Sequence, residues 1–158
     1  MAAATDRNES PEAAKQETAA FICSRDTLDG AYPALIMAIS ARRLGMRAKV
    51  FYTFMGLNVV RKGWSKSAKF KPAGPMGAVP GMPELATWMM KSKIEQADIP
   101  PLDDLLEMAV LEGVELVVCK MTVDMMQLGD DACEEGVAIQ NAEDFLKYAK
   151  ECKICLFT

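Results

Sequence analysis

The chain has 158 residues, 51% of them hydrophobic and 25% charged, which is the composition of one packed globular domain and excludes disorder as its main state. Its 18 basic and 22 acidic residues leave a formal charge of −4, which argues against general nucleic-acid affinity. No apolar run approaches the ~20 residues that span a bilayer, and MAAATDRNES lacks the apolar core of a signal peptide, so a soluble cytoplasmic protein is expected.

Residues 1–16 have no apolar periodicity and read as a disordered tail ahead of one domain over 17–158. The apolar run Thr18–Ser24 predicts a first strand. Leu28, Tyr32, Leu35, Ile39 and Leu44 recur at helical spacing, with Asp26 or Asp29 as cap, Gly45 as stop and Pro33 holding the start close to Asp29. Ala48–Phe54, aromatic and β-branched, predicts a second strand, and Gly56–Arg61 a short helix. Strand, helix and strand in succession make a βαβ unit with a right-handed crossover.

Residues 63–83 then break the rhythm with four glycines, four prolines and two methionines. No carboxylate occurs between Met55 and Pro83, whereas Arg61, Lys62, Lys66, Lys69 and Lys71 are basic. This stretch predicts a mobile insertion, either simply solvated or serving as a lid or docking surface for an acidic partner. Glu84–Lys93 reads as a helix with Leu85, Trp88 and Met89 on one side.

Leu102–Gly113 is amphipathic, with Leu102, Leu105, Leu106 and Ala109 on one face, and Val114–Cys119 predicts a third strand. A short helix over Met121–Leu128, a strand over Gly136–Ile139, a helix over Asn141–Cys152 and a strand over Lys153–Phe157 follow. Five strands alternating with helices predict an α/β fold, a flavodoxin-like three-layer sandwich on a mainly parallel sheet of order 2-1-3-4-5. Residues 99–158 carry 13 acidic against 4 basic side chains, opposite in sign to the insertion.

The chain has no histidine, which removes Ser-His-Asp and Cys-His pairs, a histidine base and His-containing zinc sites. Chemistry must therefore come from cysteine, lysine, carboxylates or backbone amides. Five scattered cysteines read as reduced thiols rather than a disulfide framework. With order 2-1-3, ligands are expected between the first and third strands, whose carboxyl ends carry Cys23-Ser-Arg-Asp-Thr27 and Cys119-Lys-Met-Thr122. Cys119 is the candidate nucleophile, because the amides of the following helix and the charge of Lys120 favour thiolate there. Arg25 faces the same crevice. The plainer alternative makes Cys119 a small buried hydrophobe at a strand end. Carboxylates beside Cys133 mark it as inert.

Cys152-Lys-Ile-Cys155 is a CxxC, but it leaves a helix and enters a strand, the reverse of a thioredoxin-like context, and no second ligand pair offers a metal site. Ser24–Gly30 lacks GxGxxG or Walker spacing, so no nucleotide is expected, nor any other cofactor.

Three segments together resemble the DsrE/DsrF-like family: Ser24-Arg-Asp-Thr-Leu-Asp, Phe51-Tyr-Thr-Phe-Met-Gly-Leu-Asn58 and Val118-Cys-Lys-Met-Thr-Val-Asp-Met-Met126. The Met/Gly/Pro-rich stretch is similar to the branch labelled "peroxiredoxin-like", although the chain has no Thr-x-x-Cys peroxidatic motif. The resemblance implies a flavodoxin-like sandwich, a homo- or hetero-oligomer, and a place in cytoplasmic sulfur relays. It implies sulfane sulfur carried on Cys119 as a persulfide or thiosulfonate and exchanged with a small TusA-like or rhodanese-like protein. Met121, Thr122 and Asp124 complete the Cys119 motif, and Cys23, Ser24, Arg25, Thr27, Lys120 and Asn58 line the expected site. Cys23 and the terminal CxxC depart from the family pattern. Two alternatives stay open: a non-catalytic ligand-binding or assembly subunit, and a dithiol redox protein using Cys152 and Cys155.

Overall fold

Segments that are apolar on both faces can be buried only inside a sheet, and three such segments form its centre. The computed structural model describes residues 16–158 apart from 71, 73 and 130; most of the expected tail lies outside the described residues. The strands are β1 (Thr18–Cys23), β2 (Arg47–Tyr52), β3 (Glu115–Cys119), β4 (Val137–Gln140) and β5 (Ile154–Phe157). All four pairings are parallel. The helices are α1 (Leu28–Arg43), α2 (Met82–Gln96), α3 (Leu102–Leu111), α4 (Lys120–Met125) and α5 (Ala142–Ala149). The segment expected as a short helix after β2 forms a 3-10 helix over Phe54–Val60.

The strand order is β4-β3-β2-β1-β5, not the expected 2-1-3-4-5. The physical reason lies in β2. Ala48, Lys49, Val50, Phe51 and Tyr52 are all buried, which an edge position does not allow. The four-residue strands β4 and β5 take the edges, and all four residues of β5 are exposed.

Alternation along the strands divides the core in two. Phe21, Val50, Leu116 and Val118 pack with Leu35 of α1 and Leu105 and Leu106 of α3 on one face. Ala20, Phe51, Val117 and Cys119 meet Phe145 of α5 on the other. The chain crosses from β1 to β4, then returns past β1 to β5, and right-handed crossovers require a change of face on that return. The placement of α5 obeys this rule.

Thr27, not Asp26 or Asp29, takes the N-cap position of α1, without a capping hydrogen bond from its side chain, and the helix gives way to Gly45, whose φ of +82° suits glycine. The basic stretch is anchored to its start: Leu28 donates its amide to the Lys69 carbonyl at 3.1 Å, and Ala68 is buried. Farther along, Thr87 of α2 hydrogen-bonds Phe70 through both backbone groups. Among the described residues no helix is long and apolar enough to cross a membrane.

Candidate functional site

The expected crevice between β1 and β3 does not form, because β2 lies between them. A different parting takes its place. The chain leaving β3 returns to the α1 face, where Val123 of α4 joins that core, whereas the chain leaving β4 crosses to the α5 face through Phe145. Ligand sites of open parallel sheets lie at such partings, beyond the carboxyl ends. Cys119 stands at this one, in register with Gln140 at the end of β4.

Cys119 closes β3 and is the N-cap residue of α4, and its side chain makes no capping hydrogen bond. It lies on the α5 face in the cluster with Ala20, Phe51, Val117 and Phe145, and 7% of its surface is exposed. Lys120, Met121, Thr122 and Asp124 follow on α4. Lys120 pairs with Asp124 at 2.6 Å, Met121 is exposed and Thr122 is buried. The Thr122 hydroxyl accepts the amide of Phe54 at 3.1 Å and lies 3.4 Å from the Thr53 hydroxyl, locking α4 to the end of β2.

The β1 group gathers on the other face. Cys23 is fully buried, and its thiol donates to the carbonyls of Arg25 at 3.3 Å and Gly30 at 3.6 Å. Burial pushes that thiol up to about 11, against the opposing pull of the Arg25 contact. Arg25 pairs with Asp29 at 3.8 Å, Ser24 binds the Thr158 carbonyl, and Thr27 is buried. Asn58 donates to Asp26 at 3.1 Å. Of these, Cys23 packs in the α1-side core, on the opposite face of the sheet from Cys119. Burial also raises the thiols of Cys133 and Cys152.

The Phe54-Met-Gly-Leu-Asn58 segment has a packing logic. Phe54 adopts a left-handed φ of 48°. A Cβ on Gly56 would stand 2.1 Å from the Cys23 carbonyl oxygen, Leu57 is fully buried, and Asn58 reaches Asp26. The segment thus ties the carboxyl ends of β1 and β2 together, and Thr122 adds α4.

Sequence reasoning missed a polar group on the Cys119 face. Lys49 of β2 is buried and paired with Glu115 at 3.1 Å; its Nζ lies 4.3 Å from the centre of the Tyr148 ring and 3.4 Å from Gln140 Oε1. Burial pushes Glu115 up, but hydrogen bonds from Arg47 and Lys49 outweigh it and hold the carboxyl below its ordinary value. A lysine inside an otherwise apolar strand was the available signal. Grooves of about 640, 410 and 290 Å³ lie near α2 and α3 and are lined by none of the expected site residues. Among the described residues no cluster of three His, Cys, Asp or Glu is placed to hold a metal ion.

The model of the DsrE/DsrF/DrsH-like family matches residues 15–157. The chain belongs to this family. It is 32% identical over 159 residues to the sulfur carrier protein DsrE2 of Allochromatium vinosum, covering 90% of this chain and 99% of that protein. It is 28% identical over 142 residues to YrkE of Bacillus subtilis, covering 82% and 89% respectively. The crystal structure of ychN from E. coli superimposes with a TM-score of 0.61 at 13% identity, over 91% of this chain and all of that one, a likeness of fold. DsrE-family membership and a sulfur-carrier relative support a sulfur-relay role.

Proposed function

We propose that this protein is a cytoplasmic sulfur carrier in which Cys119 holds sulfane sulfur and passes it to a partner thiol. The observation that carries this reading is the position of Cys119, at the β3–β4 parting and at the head of α4, within the Cys-Lys-Met-Thr-Val-Asp segment. In the first step the Cys119 thiolate attacks the outer sulfur of a donor persulfide, forming a new S–S bond and releasing the donor as thiolate. An acceptor thiolate then attacks the outer sulfur on Cys119 and restores the free thiol. No net oxidation occurs, and neither metal, histidine nor cofactor is required.

A TusA-like or rhodanese-like protein is the partner class. The lysines of residues 62–71 offer an acidic carrier an electrostatic approach that added salt weakens. Loading of wild type by polysulfide, and its loss in Cys119→Ser, tests the assignment. Loading of the serine variant to the wild-type level would sink it.

A second reading, an oligomeric assembly subunit with a structural Cys119, is favoured by β5. Its Ile154, Leu156 and Phe157 are exposed on an edge strand without charge or proline, the kind of edge a second copy covers. Oligomerisation and sulfur transfer are compatible, so the loading experiment decides between a chemical and a purely structural Cys119.

A further inference from the structure

Gln140 is the direct cross-strand neighbour of Cys119. Partners in a parallel pair point to the same side of the sheet, and the flanking residues agree: Val137 and Ile139 pack on the α1-side core, leaving Gln140 on the α5 face with Cys119. Gln140 Oε1 accepts a hydrogen bond from Lys49 Nζ at 3.4 Å. Lys49 stands in register with Glu115, four residues below Cys119 toward the amino end of the sheet. A lysine ammonium can only donate, so this bond assigns the carbonyl corner of the Gln140 amide to the Lys49 side. The NH2 corner is thus not the one held by Lys49, and Cys119 is the direct cross-strand neighbour on the same face. Lys49 is itself held by Glu115 at 3.1 Å and by the Tyr148 ring at 4.3 Å.

We infer that Gln140, oriented by Lys49, is a catalytic residue whose amide NH2 donates a hydrogen bond to the outer sulfur carried on Cys119. This rests on the reading of Cys119 as the sulfur-bearing thiol. The thiol of the resting protein makes no hydrogen bond to Gln140 in the structure, whereas a second sulfur extends the side chain by about 2 Å. An ionised outer sulfur is an acceptor without a proton of its own, and a neutral amide donor stabilises it without the charge that would quench its nucleophilicity. Lys49 and Glu115 act one step removed, by fixing which corner of the amide faces the sulfur.

The test compares the lifetime of polysulfide-loaded Cys119 in wild type, Gln140→Glu and Gln140→Met, with thermal unfolding of each. Glutamate keeps the oxygen that Lys49 grips and strengthens that contact, but it replaces the NH2 donor by a repelling oxygen. A merely structural Gln140 is therefore preserved in Q140E, and a donor is lost. The expected result is a lifetime about tenfold shorter in both variants, with the Tm of Q140E at or above that of wild type. A second readout needs no variant: the side-chain NH2 proton resonances of Gln140 should move downfield when wild type is loaded and return when sulfur is discharged by a thiol. A Q140E lifetime equal to wild type, or an unmoved Gln140 resonance on fully loaded protein, overturns the inference while leaving the carrier function intact. Wild type that takes up no sulfur on Cys119 overturns the carrier reading itself, and the role of Gln140 with it.

Discussion

Gly56 is the residue whose identity is most tightly dictated by its surroundings. An added Cβ meets the Cys23 carbonyl oxygen at 2.1 Å and its carbon at 2.7 Å, and backbone on a central strand cannot step aside. Gly56→Ala is expected to cost about 3 kcal/mol and to lower Tm by roughly 10 °C; an alanine variant that melts like wild type would refute this packing. Cys23 yields a pH prediction. Its thiol ionises near 9 when unfolded but near 11 in the fold, because burial disfavours the thiolate. The folded state therefore binds its proton more tightly, so the contribution is complete below pH 9 and is lost as pH rises toward 11. Urea titrations at pH 8 and pH 10.5 should show wild type losing about 2 kcal/mol more than Cys23→Ala. An equal loss in both proteins contradicts the burial argument. Cys23 makes buried packing contacts and hydrogen bonds to backbone carbonyls, which no spacing rule reveals.

At the scale of elements, α5 covers the Cys119 face through a single buried side chain. Phe145 is 3% exposed and stacks on Phe51 with ring centroids 4.3 Å apart. Phe145→Ala is expected to destabilise the protein by about 3–5 kcal/mol and to speed alkylation of Cys119 by more than tenfold relative to Cys155, read by mass spectrometry after timed labelling. Unchanged selectivity would mean that α5 does not shield the thiol. The elements themselves were legible from periodicity: all five strands and the helices flanking them fall close to their expected spans. What periodicity did not reveal is how the elements lock. The left-handed Phe54 and the buried Thr122 that accepts its amide join two loops 68 residues apart, and nothing in either segment alone encodes the meeting. Lys49 stood out as a charge inside an apolar strand, but its partners Glu115, Tyr148 and Gln140 come from three other elements and no local pattern reveals them.

For the whole molecule, the sequence reading reached the α/β sandwich and missed the order of its strands. The order 2-1-3-4-5 makes β2 an edge, yet Val50, Phe51 and Tyr52 are buried on both faces, and that pattern alone demanded an interior place. The error moved the expected crevice but not the candidate thiol. Cys119 stands where successive chain segments part to opposite faces under the observed order as well, now between β3 and β4, while Cys23 packs on the other side. The charge asymmetry is a property of the sequence at this scale: a basic segment before α2 stands against an acidic stretch over 99–158. The claim that most needs a direct measurement is that Cys119 bears sulfur. Reduced protein incubated with polysulfide or tetrathionate and weighed intact, then fragmented, answers it. The account predicts one or two added sulfurs, or a thiosulfonate, confined to the peptide that contains Cys119. No adduct, or one spread over all five thiols, would contradict it and leave a structural cysteine in a family-fold subunit.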